Sequence, residues 1–409
     1  MMAAGTAAEC GSSVVLLEKM PFLGRKLLIT GQGRCNIANN LEVRKFIEDC
    51  GLGSRFLYGP LSRFGYRETL KFFEAWGLRC KLERGGRYFP ESDSSRDVLK
   101  ALEDFMAAGK VRIATDSRVV GVRRDRDGFA VIAGSSVYRT GKLIIATGGR
   151  SYPGTGSTGD GYAWARDLGH RVVPARPTDV PLNVKEPWAG ELQGLSLKNV
   201  GLSFVQGRKK TNYFGEMLFT HYGISGPIVL DASREIGAWL EAGPVECVLD
   251  LKPALDQGAL EKRMQREIPR AGKKTLRVFL KGYLPSMLIP VFLGLGKMDG
   301  DLRISHLNAE GRETTTALFK GIRMTVESLR GFDEAVATAG GVALDQVNPA
   351  TMESKLAPGL YFCGEVLDLD GPCGGYNLQI AWSTGRLAGQ NAGRSEERRV
   401  GKECRSRGA

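Results

Sequence analysis

The 409-residue sequence has an α/β pattern at both of its ends and a different pattern in the middle. Residues 190–254, which include "VECVLDLKP", alternate apolar and polar residues between glycine turns, as is typical of a small β-domain. Residues 255–318 are charged and helical in pattern. The interruption predicts a discontinuous α/β domain at 1–189 and 331–393. It also predicts two inserted domains, a small β-barrel at 190–254 and 319–330 and a helical domain at 255–318.

The opening segment "MMAAGTAAECGSSVVLLEK" follows the order of features in a dinucleotide-binding βαβ unit. Such a unit has a helix with small residues packed on a sheet, a turn, an apolar second strand and an acidic residue at that strand's end. Ala4, Ala8, Gly11, Val14 and Glu18 supply these features in order. The alternative is a tightly packed helix followed by a strand, with no nucleotide.

A second segment, "GLYFCGEVLDLDGPCGGYNLQIAW", joins an apolar strand to a helix that glycines precede. The strand ends at Gly364 and Glu365, and Gly374 and Gly375 come directly before the helix. Backbone N–H groups at such a helix start can approach a planar ring and bind negative charge. Reduced flavin carries that charge at its N1/O2 edge. An ordinary glycine turn that caps a helix is the alternative.

A third segment, "KLIIATGGRSYPGTGSTGDGYAWA", contains a strand that ends at Thr147, Gly148 and Gly149. The spacing that starts at Gly154 matches G-x-G-x-x-G. In a phosphate-binding loop those glycines follow the strand directly, whereas "GRSYP" intervenes here. The segment therefore predicts an active-site loop that ends with Asp160 at a helix N-terminus, where a carboxylate is stabilised.

The loop "GRKLLITGQGRCNIANN" combines basic side chains with glycines. Lys26 and Arg34 in this setting suit a pyrophosphate and the edge of a ring, and a solvated basic loop is the alternative. Cys35 suggests redox chemistry, but flavin disulfide reductases have a second cysteine five residues later, where this chain has Asn40. Cys35 is therefore predicted to be a small packing residue near the ligand.

The cysteines and histidines predict no metal site. The eight cysteines include no C-x-x-C pair, which favours a reduced, cytoplasmic protein. His170, His221 and His306 are far apart and lack triad or metal spacing, so each is predicted to be structural. His221 is the exception that we retain, because "GEMLFTHYGISGP" is typical of a loop that faces a ligand. The most apolar stretch, "YLPSMLIPVFLGLG", is too short to span a bilayer, so no membrane partner is predicted.

The net charge of +12 raises the question of a nucleic-acid partner. Eight basic residues lie between positions 259 and 284, with only Phe279 and Tyr283 as aromatics. Single-stranded nucleic acid is bound by basic grooves with exposed aromatic side chains. The sequence therefore favours a solvated helical face, and an RNA-associated flavoprotein or other nucleic-acid-binding protein remains the alternative function.

These segments, in this order, resemble the BaiN/YhiN-like family of bacterial FAD-dependent oxidoreductases, which are also described as aminoacetone-oxidase-like flavoproteins. The resemblance rests on "GRKLLITGQGRCN", "RYFPESD", "ATGGRSYPGTGSTGDGY", "GEMLFTHYGISGP" and "GLYFCGEVLDLDGPCGGYNLQIAWSTG", and it extends from Met1 to about Gly393. It implies an α/β fold with a split, Rossmann-like FAD-binding domain, here lacking its first strand and glycine loop. A small β-barrel and a helical domain are inserted into that domain.

The resemblance also implies which residues bind FAD. The Glu18 carboxylate would bind the adenosine ribose hydroxyls, and the Val119 backbone would contact the adenine. The remaining implied contacts come from four loops: Gly31, Gly33, Arg34, Cys35 and Asn36; Thr147, Gly148 and Gly149; Gly364, Glu365 and Asp368; and Gly374, Gly375, Tyr376, Asn377 and Leu378. Lys26, from the basic loop described above, completes the set of predicted FAD-binding residues.

Together these features predict a FAD-dependent oxidoreductase. NADH or NADPH would bind transiently and reduce the flavin, which would pass hydride to an unsaturated or carbonyl small molecule, or electrons to oxygen. His221, Asp160 and Tyr376 are the candidate catalytic residues. In the family a strand and a glycine loop precede the position of Met1, so we expect Met1 to be internal to the natural protein and this chain to bind FAD weakly. Residues 394–409 are expected to be a non-native, disordered tail.

Overall fold

The computed structural model describes residues 1–51 and 53–394, and the chain divides into two compact units. The first unit is discontinuous and combines Met1–Pro177 with the chain from Phe332 onward. The second unit is the continuous segment Thr178–Gly331. Apart from Arg394, the predicted tail lies outside the described residues.

The described residues form 14 α-helices and 18 β-strands, numbered here in chain order. The helices are α1 (Met2–Glu9), α2 (Arg25–Ile29), α3 (Val43–Cys50), α4 (Tyr58–Arg63), α5 (Tyr66–Ala75), α6 (Ser95–Ala108), α7 (Asp160–Asp167), α8 (Trp188–Glu191), α9 (Pro227–Trp239), α10 (Gln257–Glu267), α11 (Leu276–Leu280), α12 (Leu288–Leu295), α13 (Ala309–Lys320) and α14 (Tyr376–Gly393). The strands are β1 (Val15–Leu17), β2 (Ala38–Asn39), β3 (Cys80–Glu83), β4 (Arg87–Pro90), β5 (Arg112–Ala114), β6 (Val119–Asp125), β7 (Gly128–Ala133), β8 (Ser136–Thr140), β9 (Leu143–Ile145), β10 (Val172–Thr178), β11 (Leu182–Val184), β12 (Ser196–Gln206), β13 (Lys209–Thr220), β14 (Gly223–Ser225), β15 (Val245–Asp250), β16 (Ile322–Leu329), β17 (Ala337–Val342) and β18 (Leu360–Phe362). No helix within these described residues combines the length and apolar composition needed to cross a bilayer.

Helix α1 explains why the chain opens with small residues. It is buried from Met2 to Ala7 and packs against α14 and α6. On the facing side of α14, every fourth residue is a glycine: Gly385, Gly389 and Gly393. A Cβ on Gly389 would lie 2.4 Å from the Ala3 carbonyl oxygen, so no larger residue fits between the helices. Ala3 and Ala7 of α1 therefore serve a close contact between helices, whereas the βαβ pattern assigns the small residues of this helix to a contact with a sheet.

The first unit contains two parallel strand pairs, and each pair brings the loops after its two strands together at one edge. Strand β1 pairs with β5, and β9 pairs with β18 in the register Leu143 with Leu360 and Ile145 with Phe362. The carboxyl ends of parallel neighbours meet at one edge of a sheet, where ligands of α/β proteins bind. The loops that follow β9 and β18 are therefore neighbours in space. The antiparallel sets β2–β4–β3 and β6–β7–β8 complete the strands before β9.

The second unit contains a closed six-stranded barrel in the order β11–β14–β13–β12–β15–β16. Alternate residues of its strands face inward, as Val245, Cys247 and Leu249 of β15 do. Phe204 of β12 and Phe319 of α13 are both fully buried in one continuous core. The helices between β15 and β16 thus share a hydrophobic core with the barrel.

Candidate flavin site

Glu365 connects three segments at the edge formed by β9 and β18. Its carboxylate accepts hydrogen bonds from Lys26 Nζ at 2.7 Å and from the Thr338 backbone N–H at 2.7 Å. It also accepts from Ser151 Oγ at 3.2 Å and from the Gly149 N–H at 3.3 Å. Two of the residues implied for FAD, Lys26 and Gly149, therefore meet a third, Glu365.

Thr338 and Ser151 were not among the predicted site residues. The Thr338 hydroxyl accepts hydrogen bonds from the backbone N–H groups of Arg150, at 2.9 Å, and of Ser151, at 3.1 Å. A Cβ on Gly149 would lie 2.5 Å from Thr338 Oγ1, so glycine is required at that position. Strand β17 thus fixes the loop after β9, although nearly 190 residues separate Thr338 from that loop. Only the paired glycines in "ATGGRS" gave a sequence signal for this close approach.

The start of α14 is shaped by Gly374 and Gly375. Gly375 precedes the first helical residue with φ of +97°, and a Cβ there would lie 2.6 Å from the Ala38 carbonyl carbon and oxygen. The neighbouring strand β2 therefore fills the space that a side chain at Gly375 would need. The Asn39 side chain donates to the Gly374 carbonyl at 3.0 Å and holds the turn against the same strand. The first amides of α14, from Tyr376 onward, have no carbonyl partner within the helix and can bind an anion.

Two buried polar atoms lie in the predicted cofactor loops. The side-chain oxygen of Asn36 (Oδ1) and the hydroxyl of Thr147 (Oγ1) have no hydrogen-bond partner among the described residues. Asn36 Oδ1 lies close to the start of α14, 2.9 Å from where a Cβ on Gly375 would be. A buried polar group without a partner costs about 1–3 kcal/mol, so such atoms suit a ligand that supplies the missing hydrogen bond.

The loop before β2 takes an unusual backbone path. Gly31, Gln32 and Gly33 have φ of +56°, +57° and +85°, and Cys35 has φ of +62°. Cys35 is fully buried, and burial raises the pKa of its thiol to about 12. The thiol therefore stays protonated at neutral pH and is not a thiolate nucleophile.

Arg34 points to acidic side chains of its own unit. Its guanidinium forms ion pairs with Glu83 and Asp93 and lies 4.2 Å from the centre of the Phe89 ring. Arg34 was assigned to FAD by the resemblance. The structure gives its positive charge two carboxylate partners within the chain.

Glu18, which follows β1, and Asp160, the first residue of α7, form hydrogen bonds with the neighbouring residues Met20 and Lys19. Glu18 comes directly after β1, and its Oε1 accepts a hydrogen bond from the Met20 N–H at 2.8 Å. Lys19 donates to the Asp160 carboxylate at 2.7 Å. Burial alone would raise the pKa of Asp160, but hydrogen bonds from Lys19 and Thr158 outweigh it and lower the pKa. Asp160 is therefore ionised at neutral pH and is not a proton donor there.

The other two candidate catalytic residues, Tyr376 and His221, belong to different units of the chain. The Tyr376 hydroxyl donates to Asp49 at 2.8 Å, and its ring packs 4.7 Å from that of Phe46. His221 is exposed and belongs to the second unit. Its ring contacts that of the adjacent Tyr222 at 4.7 Å.

The remaining implied residues support the loops between β18 and α14. Both polar atoms of the Asn377 side chain bond to the Gly371 backbone at 2.8 Å, and the Gly364 N–H donates to Thr384 of α14 at 3.0 Å. Burial, followed by repulsion from Asp370, raises the pKa of Asp368. Elsewhere in the first unit, Val119 opens β6, Leu378 of α14 packs against the hydrophobic cluster that contains Ile37, and Gly148 has φ of +73°.

Residues 1–391 match the family described as the HI0933-like protein Rossmann domain. This chain belongs to that family. The HI0933-like chain is 36% identical over 390 residues to a 3-dehydro-bile acid delta(4,6)-reductase of Clostridium scindens, with 95% of each protein covered. It is 30% identical over 392 residues to a ribosomal RNA dihydrouridine synthase of Escherichia coli, covering 96% of this chain and 94% of that one.

A solved structure supports the fold of this HI0933-like chain. The 3-ketosteroid delta1-dehydrogenase of Sterolibacterium denitrificans superposes with a TM-score of 0.51 at 13% identity, covering 96% of this chain and 97% of that one. The predicted family resemblance and the predicted fold class, a Rossmann-like α/β domain with a small β-barrel, are therefore confirmed. Family membership also supports a flavin-binding oxidoreductase.

Proposed function

We propose that this chain is a FAD-dependent reductase that uses NADH or NADPH to saturate a carbon–carbon double bond conjugated with a carbonyl group. The observation that carries the proposal is the pair of buried polar atoms without partners, Asn36 Oδ1 and Thr147 Oγ1, among the described residues of the cofactor loops. Each lies in a loop whose other members include glycines with positive φ, which leave the backbone bare for a large planar ligand.

The donors and acceptors of these loops fit FAD. Asn36 Oδ1 would accept a hydrogen bond from a ring N–H, and the Thr147 hydroxyl would donate to a ring carbonyl. The amides at the start of α14 would bind the negative edge of the reduced ring. Glu18 engages only Oε1 among the described residues, which leaves Oε2 to accept from a ribose hydroxyl.

The chain's own residues would position the ring and stabilise its charge. When bound, FAD reduced by NADH or NADPH supplies a hydride to the carbon β to the carbonyl, and a proton from water completes the α carbon. The Glu365 carboxylate accepts hydrogen bonds from Lys26 and from the Gly149 N–H, and so fixes Lys26 beside the loop after β9. Because these groups are already fixed by hydrogen bonds, the loop after β9 would need little reorganisation when FAD binds.

The names of two relatives also indicate reduction of a carbon–carbon double bond that is conjugated with a carbonyl group. A delta(4,6)-reductase of a 3-dehydro bile acid acts on double bonds conjugated with a ring ketone. Formation of dihydrouridine saturates the uracil double bond that is conjugated with a ring carbonyl. The two substrates differ greatly in size and charge, so their shared feature is the acceptor bond.

The test is a titration of the chain with FAD, followed anaerobically by NADH and NADPH. We expect FAD fluorescence and the visible spectrum to change on binding, and one nicotinamide to bleach the bound flavin. A 3-oxo steroid with a conjugated double bond should then restore the oxidised spectrum while its ultraviolet absorbance falls. Bound FAD that resists both donors would refute the proposal, and so would a flavin spectrum that stays unchanged even at the large excess of FAD that weak binding requires.

A matched pair of variants tests the site itself. Thr147→Val removes a hydroxyl that has no partner among the described residues, so the apoprotein should not lose stability. FAD affinity should fall about tenfold, as expected for one lost hydrogen bond. Thr115→Val, at an exposed position of the same unit, is the control and should leave FAD affinity unchanged. Equal FAD affinities for both variants would remove Thr147 from the site.

A further inference from the structure

A cavity of about 200 Å³ lies within the first unit. Phe46 of α3, Leu61 of α4 and Gln379 of α14 line it, together with residues that follow β2 and with the start of α5. Among the described residues that line it, none belongs to the set predicted to bind FAD. A cavity of about 150 Å³ holds a benzene ring, so this one has room for a six-membered ring with a substituent. The cavity is therefore a candidate site for a ligand other than FAD.

Gln379 is the buried polar group in the cavity wall, with only 1% of its surface exposed. Its Nε2 donates to the Thr69 hydroxyl at 2.9 Å and to the Phe64 carbonyl at 3.2 Å, and lies 2.9 Å from Ser383 Oγ. Because the Phe64 carbonyl can only accept, it identifies which end of the amide is the nitrogen. The other end, Oε1, has no hydrogen-bond partner among residues 1–51 and 53–394. An N–H or O–H of a ligand would remove the cost of about 1–3 kcal/mol that such an unpaired acceptor carries.

Helix α5 begins at the same cavity and brings hydrogen-bond donors to it. Its first helical hydrogen bond runs from the Thr69 N–H to the Gly65 carbonyl at 2.9 Å. The N–H groups of residues 66–68 therefore have no carbonyl partner within the helix, and all three residues line the cavity. The cavity thus offers an acceptor at Gln379 and donors at the start of α5. A primary carboxamide, which has N–H groups and a carbonyl oxygen, is complementary to this pair.

The charged side chains at the cavity favour an uncharged ligand group. Arg67 pairs with Glu42 at 2.6 Å, so its positive charge already has a carboxylate partner. The Glu68 carboxylate accepts a hydrogen bond from the Gly65 N–H at 3.1 Å, which keeps it beside the start of α5. A ligand carboxylate would be repelled by both glutamates, and an ammonium group would leave the N–H groups of α5 without an acceptor. A neutral carboxamide avoids both penalties.

We propose that this cavity binds the nicotinamide ring of NADH or NADPH, with the carboxamide between Gln379 and the start of α5. The inference rests on the proposed function, in which the dihydronicotinamide gives its C4 hydride, with both electrons, to the flavin and leaves as oxidised nicotinamide. Such a ring must bind beside the flavin. Asn39 lines the cavity and donates to the Gly374 carbonyl at 3.0 Å, in the turn where the edge of the reduced flavin is predicted to bind.

The first test measures affinity by ligand-observed NMR on the chain without FAD. Each reduced nicotinamide is compared with its reduced 3-acetylpyridine analogue, in which a methyl group replaces the amide nitrogen. The parent should bind the better of NADH and NADPH about tenfold more tightly than its analogue, because the analogue cannot donate to Gln379 Oε1. In Gln379→Met the two ligands should bind equally. Equal affinities in the parent, or no nicotinamide binding at millimolar ligand, would overturn the inference.

A matched pair of variants tests the cavity without changing a buried side chain. Ser62 lines the cavity and is exposed, so Ser62→Trp should narrow the cavity and weaken nicotinamide binding about tenfold. Ser13→Trp, at an exposed position just before β1, is the control and should bind as the parent does. Equal affinities in the two variants would place the nicotinamide elsewhere.

Reduction of bound FAD separates this inference from the proposed function. If a nicotinamide bleaches the flavin equally fast in the parent and in Ser62→Trp, at a ligand concentration below saturation, the cavity is not the donor site and the reductase proposal stands. If neither nicotinamide bleaches the bound flavin of the parent, the reductase proposal fails, whatever the binding measurements show. Slower bleaching in Ser62→Trp alone, with FAD affinity unchanged, supports both.

Discussion

Replacing Gly375 with alanine should destabilise the first unit far more than the same change at Gly374. Both glycines have positive φ, +97° and +122°, so alanine at either position incurs about 1–3 kcal/mol of backbone strain. Only at Gly375 would the new Cβ meet other backbone, 2.6 Å from the Ala38 carbonyl. At Gly374 the nearest atom is Asn39 Nδ2, at 3.7 Å. Overpacking adds about 1–3 kcal/mol, which brings the total for Gly375→Ala to about 2–6 kcal/mol.

Hydrogen exchange measured by mass spectrometry provides the assay for this pair. Peptides covering β2 and the start of α14 report the local opening free energy in each variant. We expect the difference between Gly375→Ala and Gly374→Ala to appear in these peptides, because the clash lies between the two elements. Equal protection in the two variants would refute the argument and would mean that the space beside Gly375 is open. That space would then be available to a ligand ring.

Three further predictions concern Glu365, Asp160 and two cysteines. In Glu365→Gln only one side-chain oxygen remains as an acceptor, so one pair of the four hydrogen-bond donors loses its acceptor. The free energy of unfolding measured in urea titrations should fall by about 2–4 kcal/mol. An unchanged urea midpoint would contradict the stabilising role of these hydrogen bonds. The pKa of the Asp160 carboxyl is lowered, so its hydrogen bonds with Lys19 and Thr158 stabilise the folded state at pH values above 3.8, the ordinary pKa of the group. This stabilisation is lost as the pH falls below that value. The stability difference between the parent and Asp160→Asn should therefore shrink from about pH 6 towards pH 3, and a constant difference would exclude the ion pair. At pH 8, iodoacetamide should label the exposed Cys373 and leave the buried Cys35 unmodified in peptide maps.

The fold class and the loops of the candidate site could be predicted because they depend on local patterns. The apolar runs of β9 and β18 are visible in the sequence, and so are Gly148, Gly149 and Gly364 in the loops that follow these strands. Pairing of β9 with β18 then brings these loops together, as expected for parallel strands.

The partners of individual side chains could not be predicted, because they depend on segments that are distant in the sequence. Nothing near Arg34 indicates that Glu83 and Asp93 will neutralise it. Thr338 lies almost 190 residues from the N–H groups that it binds, and the three-dimensional arrangement of β17 determines that contact. Hydrogen-bond partners of this kind become identifiable only when the tertiary topology is known.

The contact between α1 and α14 has a consequence for the order of folding during synthesis. The ribosome makes α1 well before α14, and about 200 residues, which take roughly 10 to 40 s to synthesise, separate Pro177 from α14. During this interval the continuous second unit can complete its core, whereas the buried face of α1 still lacks the glycines at Gly385, Gly389 and Gly393. A nascent chain that stalls before residue 376 therefore exposes that face to chaperones and proteases. Completion of the first unit therefore depends on release of α14 from the ribosome.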